Sequence, residues 1–399
     1  MKRSRTIICL SQINYWNDVP YPIHHMMKAM SRTTRVLWVN PTSVAFPSPR
    51  KKSFLGKVLR RLQSHLRFFV RVERNFFVFS PMVIPIFTKE FVYRLNNQLL
   101  QLQLKLVLWL MRIERPYVFV ALPTFGSVAL SLKAERTIYY ISDKYSGYEH
   151  VTDQTNKNII EALNRFLMTR ADYILFTAWK FFDEMDGDLK KKSFFMPHGV
   201  DVDFFQKIRP RHNQIPADLS GIRKPIIGYF GLLIRERCDM EIVRWCAEQR
   251  PEWSFVFIGK KWDRFPEVEA LRNVYFLGPK PHDEIPLYGK HFDVCIINRY
   301  LNEAVRYSNP TKVNEFLALG KPIVSVPIDH LMRDYAGLIS IAKDGKEFLE
   351  EIEFELKNDS PERAGMRVDK VRKYSWDRMV EYILTLFEGD TARAQNFFI

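Results

Sequence analysis

The chain lacks the features that would place it across a membrane, outside the cell or around a metal. No apolar run in its 399 residues approaches the roughly 20 that a membrane-spanning helix needs. Its four cysteines (Cys9, Cys238, Cys246 and Cys295) show no C-x-x-C or other metal spacing, which indicates reduced thiols of a cytosolic protein. The opening M-K-R-S-R-T-I-I-C-L is basic, but its apolar part is too short for a signal peptide and predicts a first β-strand.

The sequence also lacks repeats and a dinucleotide fingerprint. No period of about 20–50 residues recurs, which excludes a solenoid. The glycines in I-G-Y-F-G do not form G-x-G-x-x-G, so a dinucleotide oxidoreductase is not favoured. A hydrophobic content of 47% with 26% charged residues is ordinary for a soluble globular protein. A chain of this length can form two domains, each with its own core.

Positive charge is concentrated in one segment. The chain carries a net charge of +15, and the stretch from Arg50 to Arg74 holds nine Lys or Arg against one acid, Glu73. Apolar residues between Phe54 and Phe69 fall on one side of a helix and most of the cations on the other. This pattern predicts a basic amphipathic helix at an anionic membrane surface, with a helix packed on the domain's own sheet as the alternative. The residues that we expect to face the membrane are Lys57, Arg60, Arg61, Arg67 and Arg71.

Nucleic acid is a weaker candidate partner for that segment. Proteins that bind single strands alternate aromatic and cationic side chains, whereas here the aromatics share the apolar face. We therefore expect no nucleic-acid partner.

Short β-rich runs alternate with helical stretches along the whole chain, which predicts an α/β protein with two consecutive parallel sheets. A long apolar pattern from Phe91 to Ile113 fits strand and helix periods, and its length favours a helix. We expect domains at 1–205 and 225–375, a linker at 206–224, and a C-terminal helix at 376–399 that packs back toward the first domain. The strands predicted for the two sheets are Thr6–Leu10, Arg35–Val39, Phe76–Phe79, Tyr117–Ala121, Thr137–Ile141, Tyr173–Phe176 and Phe194–Met196, then Pro225–Phe230, Ser254–Ile258, Val274–Leu277, Val294–Ile297 and Ile323–Val326.

The stretch S-N-P-T-K-V-N-E-F-L-A-L-G-K-P-I-V carries the strongest chemical signal. It predicts a helix over Thr311–Leu319 that ends at Gly320 before a β-branched strand. Lys312 and Glu315 lie three residues apart, so both point from the same side of the first turn. A cation beside exposed helix N–H groups suits a phosphate, and a carboxylate one turn deeper suits sugar hydroxyls. A solvent-facing ion pair is the alternative.

Residues after the second-half strands extend this candidate site. Gly231 ends a predicted strand and allows a ligand to approach the backbone closely. Arg235 and Arg237 follow at a distance suited to a diphosphate, with a solvated loop as the alternative, and Lys260 ends the next strand. Ligands in such sheets bind beyond the carboxyl ends of the strands.

The second half resembles the donor domain of a GT-B-fold glycosyltransferase in I-G-Y-F-G, F-V-F-I-G, V-Y-F-L-G, F-D-V-C-I-I-N and N-P-T-K-V-N-E-F-L-A-L-G-K-P-I-V. In the first half, Y-Y-I-S-D, R-A-D-Y-I-L-F-T and P-H-G-V-D follow in the same order as in the teichuronic-acid glycosyltransferase type and, more distantly, the xanthan glucuronosyltransferase type. The resemblance covers nearly the whole chain. It implies two Rossmann-like domains that face a cleft.

This resemblance assigns roles to individual residues. It implies that Glu315 holds the donor ribose and that Lys312, with the backbone of Ser308 and Asn309, meets the diphosphate. Asp143 stands where the glucuronosyltransferase type carries its catalytic base, and a turn or N-cap aspartate is the alternative. The acceptor-side candidates are Trp16, His25 and Tyr145.

One position departs from the pattern. Many relatives carry two glutamates with seven residues between them, and the first would fall at Tyr307. We therefore expect inversion rather than a retaining mechanism. Two D-x-D sequences, at Asp186–Asp188 and Asp201–Asp203, lack a flanking cluster of oxygen ligands. We expect neither a metal nor a cofactor.

The sequence thus predicts a cytoplasmic enzyme at the inner face of the cell membrane. It would move a sugar from a nucleotide diphosphate, with UDP expected, to a lipid-linked saccharide of a cell-surface polysaccharide. A non-enzymatic membrane or nucleic-acid binding protein and a nucleotide-sugar epimerase are the rival hypotheses. Intact Lys312 and Glu315 disfavour the first, and the lack of further acid–base groups beside Asp143 disfavours the second.

Overall fold

The structure is a computed structural model that describes residues 5–17, 21–41, 67–84, 90–147, 154–206 and 215–398. Lys57, Arg60 and Arg61 of the predicted basic helix lie outside these residues.

The first half folds around an eight-stranded sheet with the order β3-β4-β2-β1-β5-β6-β7-β8. All neighbouring strands are parallel except β3 and β4. Most of these strands are buried on both faces, which is why they read as continuous apolar runs. The strands are β1 (Thr6–Leu10), β2 (Arg35–Val39), β3 (Phe69–Glu73), β4 (Phe76–Phe79), β5 (Tyr117–Val120), β6 (Arg136–Ile141), β7 (Tyr173–Phe176) and β8 (Ser193–Phe195).

The second half folds around a six-stranded parallel sheet with the order β11-β10-β9-β12-β13-β14. The chain therefore starts in the middle of the sheet, runs to one edge and returns to build the other. The point where the direction reverses lies between β9 and β12. The strands are β9 (Ile226–Phe230), β10 (Ser254–Ile258), β11 (Val274–Gly278), β12 (Val294–Ile297), β13 (Ile323–Ser325) and β14 (Ser340–Ile341).

Helices connect the strands and cover both sheets. In the first half they are α1 (Pro22–Met30), α2 (Glu90–Leu110), α3 (Gly126–Ser131), α4 (Gln154–Arg170), α5 (Trp179–Asp183), α6 (Gly187–Lys191) and α7 (Val202–Gln206). In the second half they are α8 (Met240–Gln249), α9 (Pro266–Glu269), α10 (Ile285–Gly289), α11 (Glu303–Arg306), α12 (Thr311–Ala318), α13 (Asp329–Asp334), α14 (Gly345–Asn358), α15 (Pro361–Arg372), α16 (Trp376–Glu388) and α17 (Thr391–Gln395). Short 3-10 turns occupy Pro123–Phe125, Tyr145–Gly147 and His282–Glu284.

The strand predictions agree with the structure to within one residue at each end, and the ambiguous apolar pattern is the helix α2. Two strands were not among those predicted: the short β14 (Ser340–Ile341), and β3 in the basic segment. Phe69 and Arg71, which were predicted on an amphipathic helix, lie on β3, an exposed edge strand that pairs antiparallel with β4. The stretch F-V-R-V-E carries β-branched residues at alternate positions, and pairing with β4 outweighs the helical spacing. Among the described residues, no helix is long and apolar enough to cross a membrane.

Helix α16 returns to the first domain. It packs against α1, where Arg32 donates to Asp377 at 2.8 Å, and the rings of Tyr117 and Phe387 stack at 4.6 Å. The hydroxyl of Tyr382 also donates to the carbonyl oxygen of Phe195. One apolar core cluster consequently extends from the helix α1 side of the first sheet into the second domain.

Candidate active site between the domains

The carboxyl ends of β9 and β10 are in backbone contact. A Cβ atom built on Gly259, whose φ is +138°, would lie 1.8 Å from the carbonyl oxygen of Gly231. Only glycine fits there, and the contact brings the loops after the two strands together. Gly231, predicted for donor binding, therefore lies beside the reversal point of the second sheet, where open α/β sheets bind ligands.

Lys312 and Glu315 lie on the same side of the first turn of α12, as predicted. The Lys312 Nζ and Glu315 Oε2 atoms are 2.8 Å apart, and the two side chains are 26% and 21% exposed. The ammonium group also lies 5.1 Å from the ring centre of Phe230 at the end of β9. The pair is therefore half-buried against the sheet rather than extended into solvent.

Two arginines belong to the loops that follow β9 and β12, and a backbone bridge between Cys238 and Arg299 joins these loops. Burial raises the pKa of the Tyr229 phenol. The positive charges of Arg299 and Arg237 lower this pKa, and the negative charge of Glu315 raises it. Arg299 follows the end of β12, and Arg237 belongs to the loop after β9. Arg237 and Arg299 therefore belong to loops at the reversal point of the second sheet, where cations suit a diphosphate.

A pair of histidines faces this crevice from both domains. The ring of His25 on α1 lies 5.9 Å from that of His282 and stacks on Trp376 at 5.3 Å. Burial lowers the pKa of His282. The negative charge of Glu315 raises this pKa, and the positive charge of Lys312 lowers it. His25 therefore lies where the first domain meets the second. His24 instead stacks on Trp38 inside the first domain, and burial lowers its pKa to about 4.

Asp143 lies at the carboxyl end of β6 on the rim of a cavity of about 310 Å³. Tyr145 shares this cavity and donates to the carbonyl oxygen of Ala121 at 2.9 Å. Burial, and after it the charge of Asp143, raises the pKa of the Tyr145 phenol. Polar and apolar side chains line the cavity in roughly equal numbers, among them Lys144, Ile160, Glu161, Asn164, Met168, Phe181, Glu184 and Tyr307.

Tyr307 reaches into the first domain. Its hydroxyl donates to the carboxylate of Glu184, with the two oxygens at 2.7 and 2.6 Å. Lys144 lies 4.1 Å from the centre of the tyrosine ring and pairs with Glu303 at 2.7 Å. These contacts close the wall of the cavity with a side chain from the second domain.

A hydrogen-bonded chain connects the Ser308–Asn309 segment to the backbone beside Asp143. The amide of Asn309 donates to the carbonyl oxygen of Thr177 at 3.1 Å. The hydroxyl of Thr177 in turn donates to the carbonyl oxygen of Ser142 at 3.1 Å. The Ser308 hydroxyl donates to the carbonyl oxygen of Val305 on α11 at 2.8 Å. The Ser308–Asn309 segment is thereby fixed against the end of β6 as well as at the start of α12.

Three predicted site residues lie in other surroundings. Arg235 donates to Glu267 at 2.9 Å and to the carbonyl oxygen of Arg264, so its guanidinium already has protein partners. Lys260 is exposed and lies 5.9 Å from the ring centre of Trp262. Trp16 packs edge-on against Tyr15. It does not line the Asp143 cavity.

Arg67 and Arg71 are the two predicted membrane-facing residues that lie within the described part of the chain. The Arg67 guanidinium lies 4.6 Å from the ring centre of Trp16, and Arg71 donates to the carbonyl oxygens of Glu73 and Arg74. Both cations thus contact their own domain, which differs from the predicted arrangement on a free helix face.

The two D-x-D sequences have structural partners. Asp201 accepts from the backbone N–H of Phe204 at 2.9 Å at the start of α7. Asp186 pairs with Arg165, and Asp188 with Lys191. Within the described part of the chain, no group of three or more His, Cys, Asp or Glu is arranged to hold a metal ion.

Comparison with known proteins gives the class. No family model matches the chain. It is 25% identical over 315 residues to a Bacillus subtilis protein whose name assigns it to teichuronic acid biosynthesis as a glycosyltransferase, over 75% of this chain and 74% of that protein. Sucrose-phosphate synthase from Thermosynechococcus elongatus superimposes with a TM-score of 0.70 at 14% identity, over 97% of this chain and 99% of that one. Anabaena HepE, solved with UDP and glucose, gives a TM-score of 0.65 at 14% identity, over 96% and 99%.

The fold is GT-B, with two Rossmann-like domains that face a cleft. The resemblance to the teichuronic-acid glycosyltransferase type, drawn from the motifs, is confirmed. The protein is a glycosyltransferase, an enzyme that moves a glycosyl group from a donor to an acceptor.

Proposed function

We propose that the protein transfers a sugar from a UDP-linked donor to a lipid-linked saccharide, with inversion at the sugar carbon and without a metal. The donor occupies the crevice of the second domain, and the acceptor enters from the first. The single observation that carries this proposal is the half-buried Lys312–Glu315 pair at the start of α12. The UDP of the Anabaena HepE structure, a protein of the same fold, adds support for the choice of nucleotide.

Binding the donor replaces the partner of Lys312. A diphosphate oxygen replaces Glu315 as the ion-pair partner of the Lys312 ammonium group. The Glu315 carboxylate then accepts hydrogen bonds from the two ribose hydroxyls. Helix N-termini favour negative charge, so the first turn of α12 adds to the stabilisation. Arg237 and Arg299 stand beside Tyr229, where their charge would stabilise the second phosphate. These groups would stabilise the UDP that leaves, without help from a metal.

Asp143 is the proposed base. Its carboxylate takes the proton of the acceptor hydroxyl, whose oxygen then bonds to the sugar carbon as that carbon's bond to the diphosphate oxygen breaks. The cavity beside Asp143 offers hydrogen-bonding groups from Glu161 and Asn164 and apolar contacts from Ile160 and Met168. That mixture suits a sugar ring, which has polar edges and apolar faces.

The proposed acceptor is a saccharide on a membrane lipid. The teichuronic acid assignment of the Bacillus subtilis relative, together with the chain's net charge of +15, supports a saccharide on a membrane lipid and an anionic membrane partner. We place the enzyme in the cytoplasm, at the inner face of the membrane.

A donor screen tests the function. Purified protein is incubated with UDP-, GDP- and dTDP-sugars and with membranes of the producing cell, and the nucleoside diphosphate released is measured. We expect UDP release that depends on the membranes and a labelled sugar in the lipid extract. Release from GDP- or dTDP-sugars alone would contradict the nucleotide assignment, and label in soluble saccharide only would contradict the lipid-linked acceptor.

A further inference from the structure

Helix α2 is apolar on both of its sides. One side is buried in the first domain's core and consists of Leu100, Leu104, Val107 and Leu108. The other is exposed to solvent and consists of Leu102, Leu106, Trp109 and Leu110, which are 64%, 52%, 72% and 64% exposed. These four recur at spacings of three and four residues, so they lie on one face of the helix, here named the outer helix face. A helix that is hydrophobic all round is normally covered on both sides.

The apolar character continues onto neighbouring helices. Helix α3 packs against α2 and α4, and it exposes Leu130. Helix α4 exposes Ile159 and Phe166. The ring of Phe166 lies 3.3 Å from the Cβ position of Gly126, the first residue of α3. Apolar side chains exposed together on packed helices are a feature of binding surfaces.

Charge indicates what covers the outer helix face. Lys105 and Arg112 are exposed in and beside it, and no Asp or Glu occurs from Phe91 to Ile113. Exposed acids nearby are Glu114, which follows this stretch in sequence, and Glu161 on α4. Lys133 follows α3, and Arg170 ends α4 with its guanidinium 5.8 Å from the ring centre of Phe166. A second copy of the chain would bring the same cations together, which disfavours self-association. An anionic lipid surface attracts the cations to its headgroups and buries the apolar side chains at the acyl-chain boundary.

Trp109 strengthens this choice. Indole rings prefer the boundary between lipid headgroups and acyl chains, because the ring is apolar while its N–H remains hydrated. Lys105 can extend its long side chain to the headgroups while its methylene groups stay among apolar neighbours.

We propose that the outer helix face of α2 docks the protein on an anionic membrane, with Leu102, Leu106 and Trp109 inserted at the headgroup boundary. This inference rests on the proposed function, since it supplies the surface from which a lipid-linked acceptor would be taken. Helix α4 lines the Asp143 cavity with Ile160 and Asn164, so the membrane-facing layer of helices and the acceptor cavity share an element.

Vesicle binding by a substituted α2 tests the proposal. Leu102→Gln, Leu106→Gln and Trp109→Gln are combined, and binding to vesicles of equal parts phosphatidylglycerol and phosphatidylcholine is measured by co-sedimentation. Removing three inserted apolar side chains should lower the partition coefficient at least about tenfold. The matched control combines Ile215→Gln, Phe354→Gln and Met366→Gln, which are 52%, 49% and 59% exposed in the second half, and should bind like the parent.

Two further measurements keep the result interpretable. UDP affinity by calorimetry should be the same in parent, triple variant and control, so a failure of vesicle binding is distinguishable from a failure of the donor site. If the triple variant does not fold, Trp109→Gln alone should still weaken binding several-fold. Vesicle binding by the folded variants that equals the parent's, or a parent dimer that the substitutions convert to monomer without affecting vesicle binding, would overturn the proposal.

Discussion

Tyr307 and Glu184 connect the two domains directly: the tyrosine hydroxyl of the second domain donates to the carboxylate of the first, at 2.6–2.7 Å. The tyrosine side chain thereby forms part of the wall of the Asp143 cavity.

Replacing Tyr307 with Phe should therefore affect the acceptor more than the donor. Loss of a hydrogen bond to a charged group costs about 1.5–3 kcal/mol when buried, and less here because Glu184 is half-exposed. We expect the acceptor KM to rise about fivefold with UDP affinity unchanged. Tyr275→Phe, which removes a hydroxyl elsewhere in the second domain, is the control. A change confined to UDP affinity would contradict the assignment of Tyr307 to the acceptor side.

Asp143→Asn tests the proposed base. The amide keeps the shape of the side chain but cannot accept a proton, so kcat should fall roughly a hundredfold or more while UDP still binds. Asp186→Asn makes the same change at a surface aspartate that pairs with Arg165, and should retain activity. Near-normal turnover by the Asp143 variant would make this residue a turn aspartate.

Gly259→Ala tests the contact between the strand ends. The new Cβ would meet the Gly231 carbonyl oxygen at 1.8 Å, so the loops beside the donor crevice must move apart. We expect a loss of about 1–3 kcal/mol in the free energy of unfolding, together with weaker UDP binding. Gly187→Ala, with no atom within 4 Å of its Cβ position, should change neither. Unaltered stability in the Gly259 variant would mean that the strand ends are not packed this closely.

Buried histidines predict a pH dependence of stability. Burial lowers the pKa of His198 to about 4 and that of His330 to about 3. Below a pH of about 6.5, the unfolded chain binds protons that the folded chain does not. The free energy of unfolding therefore decreases as the pH is lowered, by up to about 1.4 kcal/mol per pH unit for each histidine. The decline continues until the folded-state pKa is reached.

Denaturant unfolding at pH 7 and pH 5 measures this effect. His330→Leu removes one of the two groups, and the difference in unfolding free energy between the two pH values should shrink by about 1–2 kcal/mol. His291→Gln, at a less buried histidine of the second domain, should have a smaller effect. Equal pH dependence in the parent and the His330 variant would show that His330 does not titrate differently in the two states.

Local patterns explain what could be predicted from the sequence. Parallel strands buried on both faces have continuous apolar runs, and the Lys312–Glu315 pair comes from one helical turn, so both were predictable. β3 was missed because it is an exposed edge strand within a basic segment of helical period. The pairings of Tyr307 with Glu184 and of His25 with His282 join distant segments, and no local pattern connects them. Arg299 could have been found, since it lies two residues after the end of a predicted strand.

Isothermal titration of UDP into Lys312→Ala and Glu315→Gln tests the central claim, that this pair forms the donor site. A charge-assisted contact to phosphate is worth about 1.5–3 kcal/mol, so Lys312→Ala should weaken UDP binding at least about tenfold. Glu315→Gln should weaken it less, because only the ribose contact loses charge. Lys346→Ala, which removes a lysine paired with Glu350 on α14, is the matched control and should bind UDP like the parent. UDP affinity unchanged in both Lys312→Ala and Glu315→Gln would contradict the claim.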